Sequence, residues 1–322
     1  MIDRRHFIGI MALFGCGVLT SCTGSTAASD SIPLFESEST YTENPSDGKG
    51  DSIRVAFAAL VSPQESFYKY QNLVNYLEGQ IGRKIEVVRR QTYQEVNDML
   101  ETGEVDFGFI CSLSYVMGLD EGTLTGIAVP IVGGSSFYRS YLICHSDSGL
   151  SMLEDLKEKT FAFTDPLSYT GRLSMLKLLH DQVGCNEEYF REVFYTYSHD
   201  SSIHAVHLGI VDAASVDGLI YEELVTAQSD LVSNVNVIYK GPAAGMPPVV
   251  ASTKADEGLQ NEFQKALLGM ATDEAGKPIL KELGYDQFEV PNDDNYEVIR
   301  DALIAIGREA VDEFEISTKS EA

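Results

Sequence analysis

Basic residues are scarce in this 322-residue chain: 23 Lys and Arg stand against 49 Asp and Glu, a formal charge of −26. A surface this acidic argues against nucleic acid or an anionic membrane face as a partner. Long apolar runs are lacking too. The one marked stretch, Phe7 to Leu19, is too short to cross a bilayer as a stable helix. Cysteine is sparse, with five residues and no CxxC spacing, so neither a disulfide framework nor a zinc site is indicated. No HExxH, GxSxG, P-loop or strand-linked GxGxxG motif occurs. Ser198, His199 and Asp200 are contiguous, and adjacency alone does not build a catalytic triad. The expectation is a protein that is not an enzyme, with no catalytic residue, metal or cofactor.

What is present begins with an address. Arg4 and Arg5 precede the apolar run, which closes on Leu19-Thr20-Ser21-Cys22, the pattern of a secretory leader. Leu-Thr-Ser-Cys resembles a bacterial lipobox, which implies cleavage before Cys22 and a lipid on its thiol. Arg4-Arg5-His6-Phe7 resembles a twin-arginine signal, with Asp3 where Ser or Thr is usual, so the export route stays open. The leader, residues 1–21, carries one net positive charge, which leaves −27 on the remainder. Residues 22–51 are mostly Ser, Thr, Gly, Glu, Asp and Pro, too polar to offset their ordering entropy, and read as a flexible tether. The expected location is extracytoplasmic, anchored to the membrane by lipid alone. Of the cysteines left, Cys111 and Cys144 follow apolar segments and read as small buried residues.

Beyond the tether, strand-like and helix-like segments alternate. Strands are expected at 53–60, 85–88, 105–110, 138–144, 160–163, 193–197, 213–216 and 235–239, with extended chain again from Val249. Capping boxes at Ser62-Pro63-Gln64-Glu65, Thr92-Tyr93-Gln94-Glu95 and Ser151-Met152-Leu153-Glu154 open helices; Gly82 and Gly103 close the first two, and Gly184 ends a helix at about 170–182. Further helices are expected at 202–209, 218–227, 257–270, 274–283 and 294–310. This is an α/β chain of two lobes, each a mostly parallel sheet flanked by helices, joined by two hinge crossings. Residues 52–137 and 249–322 form one lobe and 138–248 the other. In such sheets ligands sit beyond the strands' carboxyl ends, at helix N-termini. Five hydroxyl residues occupy those junctions: Ser62, Thr92, Ser112, Ser168 and Ser198. Each alone is an ordinary helix cap. Together they suggest a cleft lined with neutral donors, suited to a compact oxyanion.

Several segments carry a family resemblance. Ser148 to Lys157, followed by Thr160 to Phe163, resembles the opening of the second lobe in periplasmic solute-binding proteins. Asp165-Pro166-Leu167-Ser168-Tyr169-Thr170-Gly171 resembles the Asp-Pro-x-Ser-x-Ser/Thr-Gly segment of those that bind phosphate, phosphite and phosphonates. Val105-Asp106-Phe107 with Leu113-Ser114-Tyr115, Ser198-His199-Asp200, and Val211 to Asp217 match in the same order. The resemblance covers about residues 53–310. It implies a periplasmic binding protein fold of type II and a monomer that delivers a small phosphorus oxyanion to an ABC importer permease. A sensory lipoprotein signalling to a membrane kinase, or a binder of another oxyanion, fits the same residues.

By that resemblance the oxyanion sits at the helix after Ser168. The hydroxyls of Ser168 and Thr170 and the amides of Tyr169, Thr170 and Gly171 would bind it, with Gly171 allowing close backbone approach. Tyr93 would reach in from the other lobe, His199 would donate, and Asp217 would accept a ligand P–OH proton. Each has an ordinary reading too: a core aromatic, a structural His–Asp pair, a helix cap. Two departures stand out. The second crossing, Gly241 to Pro248, holds Met246 and Pro247 where aminophosphonate binders carry an acid, and Ile110 replaces an aromatic. A cationic ligand tail would lack a counter-charge there.

Overall fold

The structure, a computed structural model, describes residues 52–58, 63–308 and 310–311. The leader, Cys22, the tether and the junction residue Ser62 lie outside them.

The first half opens with strand β1 (Ile53–Phe57), helix α1 (Pro63–Ile81), β2 (Ile85–Arg89), α2 (Tyr93–Thr102), β3 (Phe107–Phe109), α3 (Ser112–Asp120) and β4 (Leu124–Ile131). Then follow β5 (Phe137–His145), β6 (Thr160–Phe163), α4 (Ser174–Val183), β7 (Glu192–Tyr195), α5 (His199–His207), β8 (Ala213–Asp217), α6 (Gly218–Thr226) and β9 (Val235–Gly245). The chain ends with β10 (Val249–Ser252), α7 (Glu257–Gly269), α8 (Gly276–Leu283), β11 (Gln287–Glu289) and α9 (Glu297–Ile306). Local chemistry sets these limits. Thr92 Oγ1 accepts the Glu95 amide at 3.2 Å while Glu95 Oε2 accepts the Thr92 amide at 3.0 Å, a reciprocal cap for α2. Gly103 stops that helix at φ 72°. Ahead of the short 3-10 turn at Leu153–Leu156, Asp155 rather than Glu154 gathers the amides of Ser151 and Met152.

Two mixed sheets result. One has the order β11-β4-β10-β3-β1-β2, the other β7-β6-β8-β5-β9. β1 is parallel to β2 and β3, but β10 is antiparallel to β3 and β4, and β11 to β4. In the second sheet β6 is parallel to β7 and β8, whereas β5 is antiparallel to β8 and β9. In each sheet four strands share one direction, as the mostly parallel plan expects, and the others run against them. For β5 and β10 the cause is the crossing itself. β5 and β10 are the strands by which the chain enters a sheet from the carboxyl ends of that sheet's parallel strands, so each runs against them. β4 and β11 also escaped the sequence reading, because Gly126 and Pro130 interrupt β4 and β11 spans three residues around Phe288.

Phe107 stacks on Phe263 (centroids 3.9 Å apart) beneath the first sheet, and Phe161 on Phe190 (4.2 Å) beneath the second. A further buried cluster draws on both: Tyr93 and Cys111 from one side, Tyr138, Leu167 and Tyr169 from the other, with Met246 of the second crossing.

Candidate functional site

The chain leaves β6 at Phe163 and folds back through Thr164 to Leu167 into a wide π-type turn, Tyr169–Leu173, that continues as α4. Such widened turns recur at functional sites. Ser168 Oγ accepts the Gly171 amide at 2.9 Å, and the Ser168 amide donates to the Asp165 carbonyl at 3.0 Å. From below, the hydroxyls of Ser140 on β5 and Ser215 on β8 both donate to the Thr170 carbonyl at 2.7 Å. Arg172 is buried, and its guanidinium bonds Glu187 Oε1 at 2.8 Å and the carbonyls of Pro166 (3.2 Å) and Ala310 (3.1 Å). The loop is therefore held rigid by groups that a reader of the sequence has no reason to connect.

Above this loop lie hydroxyls without partners. Tyr93 Oη, Tyr138 Oη and Thr170 Oγ1 are buried and make no hydrogen bond within the protein. A buried hydroxyl left unpaired costs about 1–3 kcal/mol, so three in one region call for an occupant. They belong to one environment. The Tyr93 phenol interacts electrostatically with Cys111, Asp165 and Asp217, and the Tyr138 phenol with Cys111, Asp217 and Tyr169. Burial pushes both phenols far above their ordinary pKa and the Cys111 thiol upward, so all three stay neutral. The Tyr169 phenol, raised to about 12 by burial, lies 3.5 Å from the Pro242 carbonyl. Cys111 faces the Tyr169 and Leu113 amides.

His199 and Asp217 meet beside the loop. The Asp217 amide donates to His199 Nδ1 at 3.0 Å, and Thr164 Oγ1 lies 3.1 Å from the same nitrogen. Nδ1 thus accepts, which places the ring proton on Nε2. Burial lowers the His199 pKa to about 3. Since the folded value lies below the ordinary one, this neutral ring stabilises the fold above about pH 6.5, and that contribution is lost as pH falls further. Equilibrium urea unfolding between pH 7 and 5 should show this loss, and His199→Gln should reduce it. Asp217 Oδ1 accepts the Leu219 amide at 2.7 Å, so this carboxylate caps α6. Tyr197, two residues before His199, holds a left-handed φ of 58°, a local strain of about 1–3 kcal/mol beside the site.

Several of the junction hydroxyls expected to line a cleft are bonded within the protein. Thr92 is spent on the α2 cap, Ser112 Oγ donates to the Gly245 carbonyl at 2.6 Å, and Ser198 Oγ donates to Ser201 Oγ at 2.6 Å. Ser168 accepts from Gly171, which keeps its own proton available but commits the Gly171 amide. The close approach that Gly171 permits is to Thr164 of its own loop: a Cβ there would lie 2.5 Å from Thr164 Cβ. Tyr93, Ser168, Tyr169, Thr170, His199 and Asp217 do gather in one place. Ser140, Thr164, Ser215, Tyr138 and Cys111 complete the region, and none announced itself in sequence. Tyr138 was legible only as a strand residue at the crossing. Among the described residues, no group of three His, Cys, Asp or Glu could hold a metal ion.

Two mixed-sheet lobes joined by two crossings, with buried polar side chains gathered where they meet, define a solute-binding protein of the periplasmic type. Residues 55–296 match the ABC-transporter phosphonate periplasmic substrate-binding proteins, and the chain belongs to that family. It is 27% identical over 240 residues to the phosphate-import protein PhnD of Mycolicibacterium smegmatis, covering 71% of each chain. The phosphonates-binding periplasmic protein of Escherichia coli is 23% identical over 222 residues, covering 67% of this chain and 65% of that one. In fold it is similar to the binding component of an ABC phosphonate transporter from Pseudomonas aeruginosa, with a TM-score of 0.73 at 19% identity over 84% of this chain and 99% of the other. PhnD1 of Prochlorococcus marinus, solved with methylphosphonate, gives a TM-score of 0.71 at 18% identity, covering 79% and 97%.

Proposed function

We propose that this protein captures a small phosphorus oxyanion outside the cytoplasmic membrane and delivers it to an ABC importer permease. The leader ends at Ser21, Cys22 carries the lipid anchor, and the protein works as a monomer. Lobe boundaries fall at 137/138 and 248/249. The observation that carries this reading is the set of unpartnered buried hydroxyls, Tyr93 Oη, Tyr138 Oη and Thr170 Oγ1. With the first amides of the turn after Ser168, these are neutral donors that bind an anion without a cationic side chain. His199 Nε2–H adds a donor, and the Asp217 carboxylate accepts the proton of a P–OH group.

Ligand choice follows from the wall. Met246 is buried at the second crossing, within the same cluster as Tyr93 and Tyr169. The second crossing, Gly241 to Pro248, carries no carboxylate. An ammonium tail directed at it would be buried without a counter-charge, a cost of several kcal/mol. Calorimetry should show methylphosphonate, phosphite or phosphate binding at least roughly tenfold more tightly than 2-aminoethylphosphonate. The reverse order would overturn this choice of ligand, and no binding by any of the four would overturn the function.

A further inference from the structure

Helix α9 and the turn after it belong to neither lobe alone. α9 packs on α3 from the six-stranded side, and on α4 and the turn Tyr169–Leu173 from the five-stranded side. Its Ile299, Ala302 and Leu303 are buried in the cluster that both sides share. Gly307 then ends the helix at φ 85°, a left-handed value that favours glycine. In the turn that follows, the Val311 amide donates to the Arg308 carbonyl at 2.9 Å, and the Val311 side chain is buried. Two anchors leave this turn in opposite directions. The Arg308 guanidinium pairs with Glu121 and lies 3.8 Å from Asp120, at the end of α3. Two residues on, the Ala310 carbonyl accepts a hydrogen bond from Arg172 Nη2 at 3.1 Å.

Arg172 carries this attachment to the loop Asp165–Gly171. Its amide and that of Leu173 both donate to the Ser168 carbonyl, at 3.1 and 3.0 Å. Its side chain reaches back along the loop, where Nη1 donates to the Pro166 carbonyl at 3.2 Å. Nε donates to Glu187 Oε1 at 2.8 Å, an oxygen that also accepts from Tyr195 Oη at 2.8 Å. Arg172 is 5% exposed, so water does not replace a lost acceptor and the guanidinium's place is set by its protein partners together. We propose that the segment 307–311 is a positioning strap for this loop, acting through Arg172: Arg308 fixes the segment to α3, and the Ala310 carbonyl fixes the guanidinium that holds Pro166. The inference rests on the capture function proposed above and concerns how its loop is held, not which anion it takes. Were the Ala310 carbonyl to move away, Arg172 would shift toward its remaining partners and loosen the Pro166 bond, two residues before Ser168. Donors misplaced by about 1 Å lose up to roughly a hundredfold in effect, so a remote turn has leverage on the site.

A double-variant cycle in the full chain tests the strap. Gly307→Val places a branched side chain at a left-handed φ, so the turn re-routes and the Ala310 carbonyl leaves Arg172. With Arg172 in place, Gly307→Val should weaken methylphosphonate binding about tenfold or more by calorimetry. In an Arg172→Met background the same change should cost less than about threefold, because the link is already gone. A general loss of stability is common to both backgrounds and cancels in the cycle. Equal losses in the two backgrounds would overturn the proposal. A second arm needs no anion. The Gly171, Arg172 and Leu173 amides, all bonded to Ser168, should lose hydrogen-exchange protection roughly tenfold in Gly307→Val, while amides of the β1–β2 ladder keep theirs. Should that variant fold poorly, Arg308→Glu, which sets a carboxylate against Asp120 and Glu121, should shift the same three amides in the same direction. Unchanged protection of those amides would overturn the strap. Absence of methylphosphonate binding by the unaltered protein would count against the capture function alone, and the exchange arm would still decide the strap.

Discussion

Replacing Gly171 with alanine is expected to cost most of the anion affinity. The added Cβ would sit 2.5 Å from Thr164 Cβ and Oγ1 and 2.8 Å from Ser168 Oγ. Thr164 is completely buried and Gly171 is hemmed by its own turn, so neither gives way cheaply. The clash displaces the Ser168–Gly171 bond and the Thr164–His199 contact, the two links that shape the loop. Overpacking of this kind costs about 1–3 kcal/mol in stability. The loss in binding should be larger, about a hundredfold or more, because anion donors lose their bond when misplaced by about 1 Å. Calorimetry with methylphosphonate on Gly171→Ala checks this. Affinity within about threefold of the unaltered protein, a difference of about 0.7 kcal/mol, would show that the loop does not hold the anion.

Removing the unpartnered hydroxyls should separate stability from binding. Tyr93→Phe and Thr170→Val each delete a buried polar atom that bonds nothing in the protein. In most proteins deleting a buried hydroxyl destabilises, because a partner is orphaned. Here no partner exists, so the anion-free variants should be as stable as the unaltered protein or more stable by about 1 kcal/mol. Binding should move the other way. Each hydroxyl bonded to a charged oxygen contributes about 1.5–3 kcal/mol, so each variant should bind roughly 10- to 150-fold more weakly. Thermal unfolding without anion, set beside calorimetry with it, reads both effects. A variant destabilised by about 2 kcal/mol with affinity unchanged would mark that hydroxyl as structural.

The sequence was most legible where local chemistry decides. The α2 capping box, the left-handed stops at Gly82, Gly103 and Gly184, and the strand Thr160–Phe163 are set by residues close together in the chain. The two-lobe plan was legible because helical and strand periods alternate. The direction of β5 and β10 was not, since it depends on the end from which they enter their sheets. Within the site, the Asp165–Gly171 segment was legible as a motif, but the identity of its free donors was not. Whether a hydroxyl is spent on a helix cap or left unpartnered depends on contacts such as Ser112 with Gly245, 133 positions away. Asp165 illustrates the same limit: its partner Tyr93 is 72 positions away on another lobe. The segment was singled out by its family resemblance, while the way its hydroxyls are bonded required the fold.

A crystal structure of the protein grown with methylphosphonate tests the central claim most directly. The phosphonate oxygens are expected at about 2.6–3.1 Å from Tyr93 Oη, Thr170 Oγ1 and the first amides of the turn after Ser168. Electron density for the anion elsewhere, with those hydroxyls still unpartnered, would contradict it.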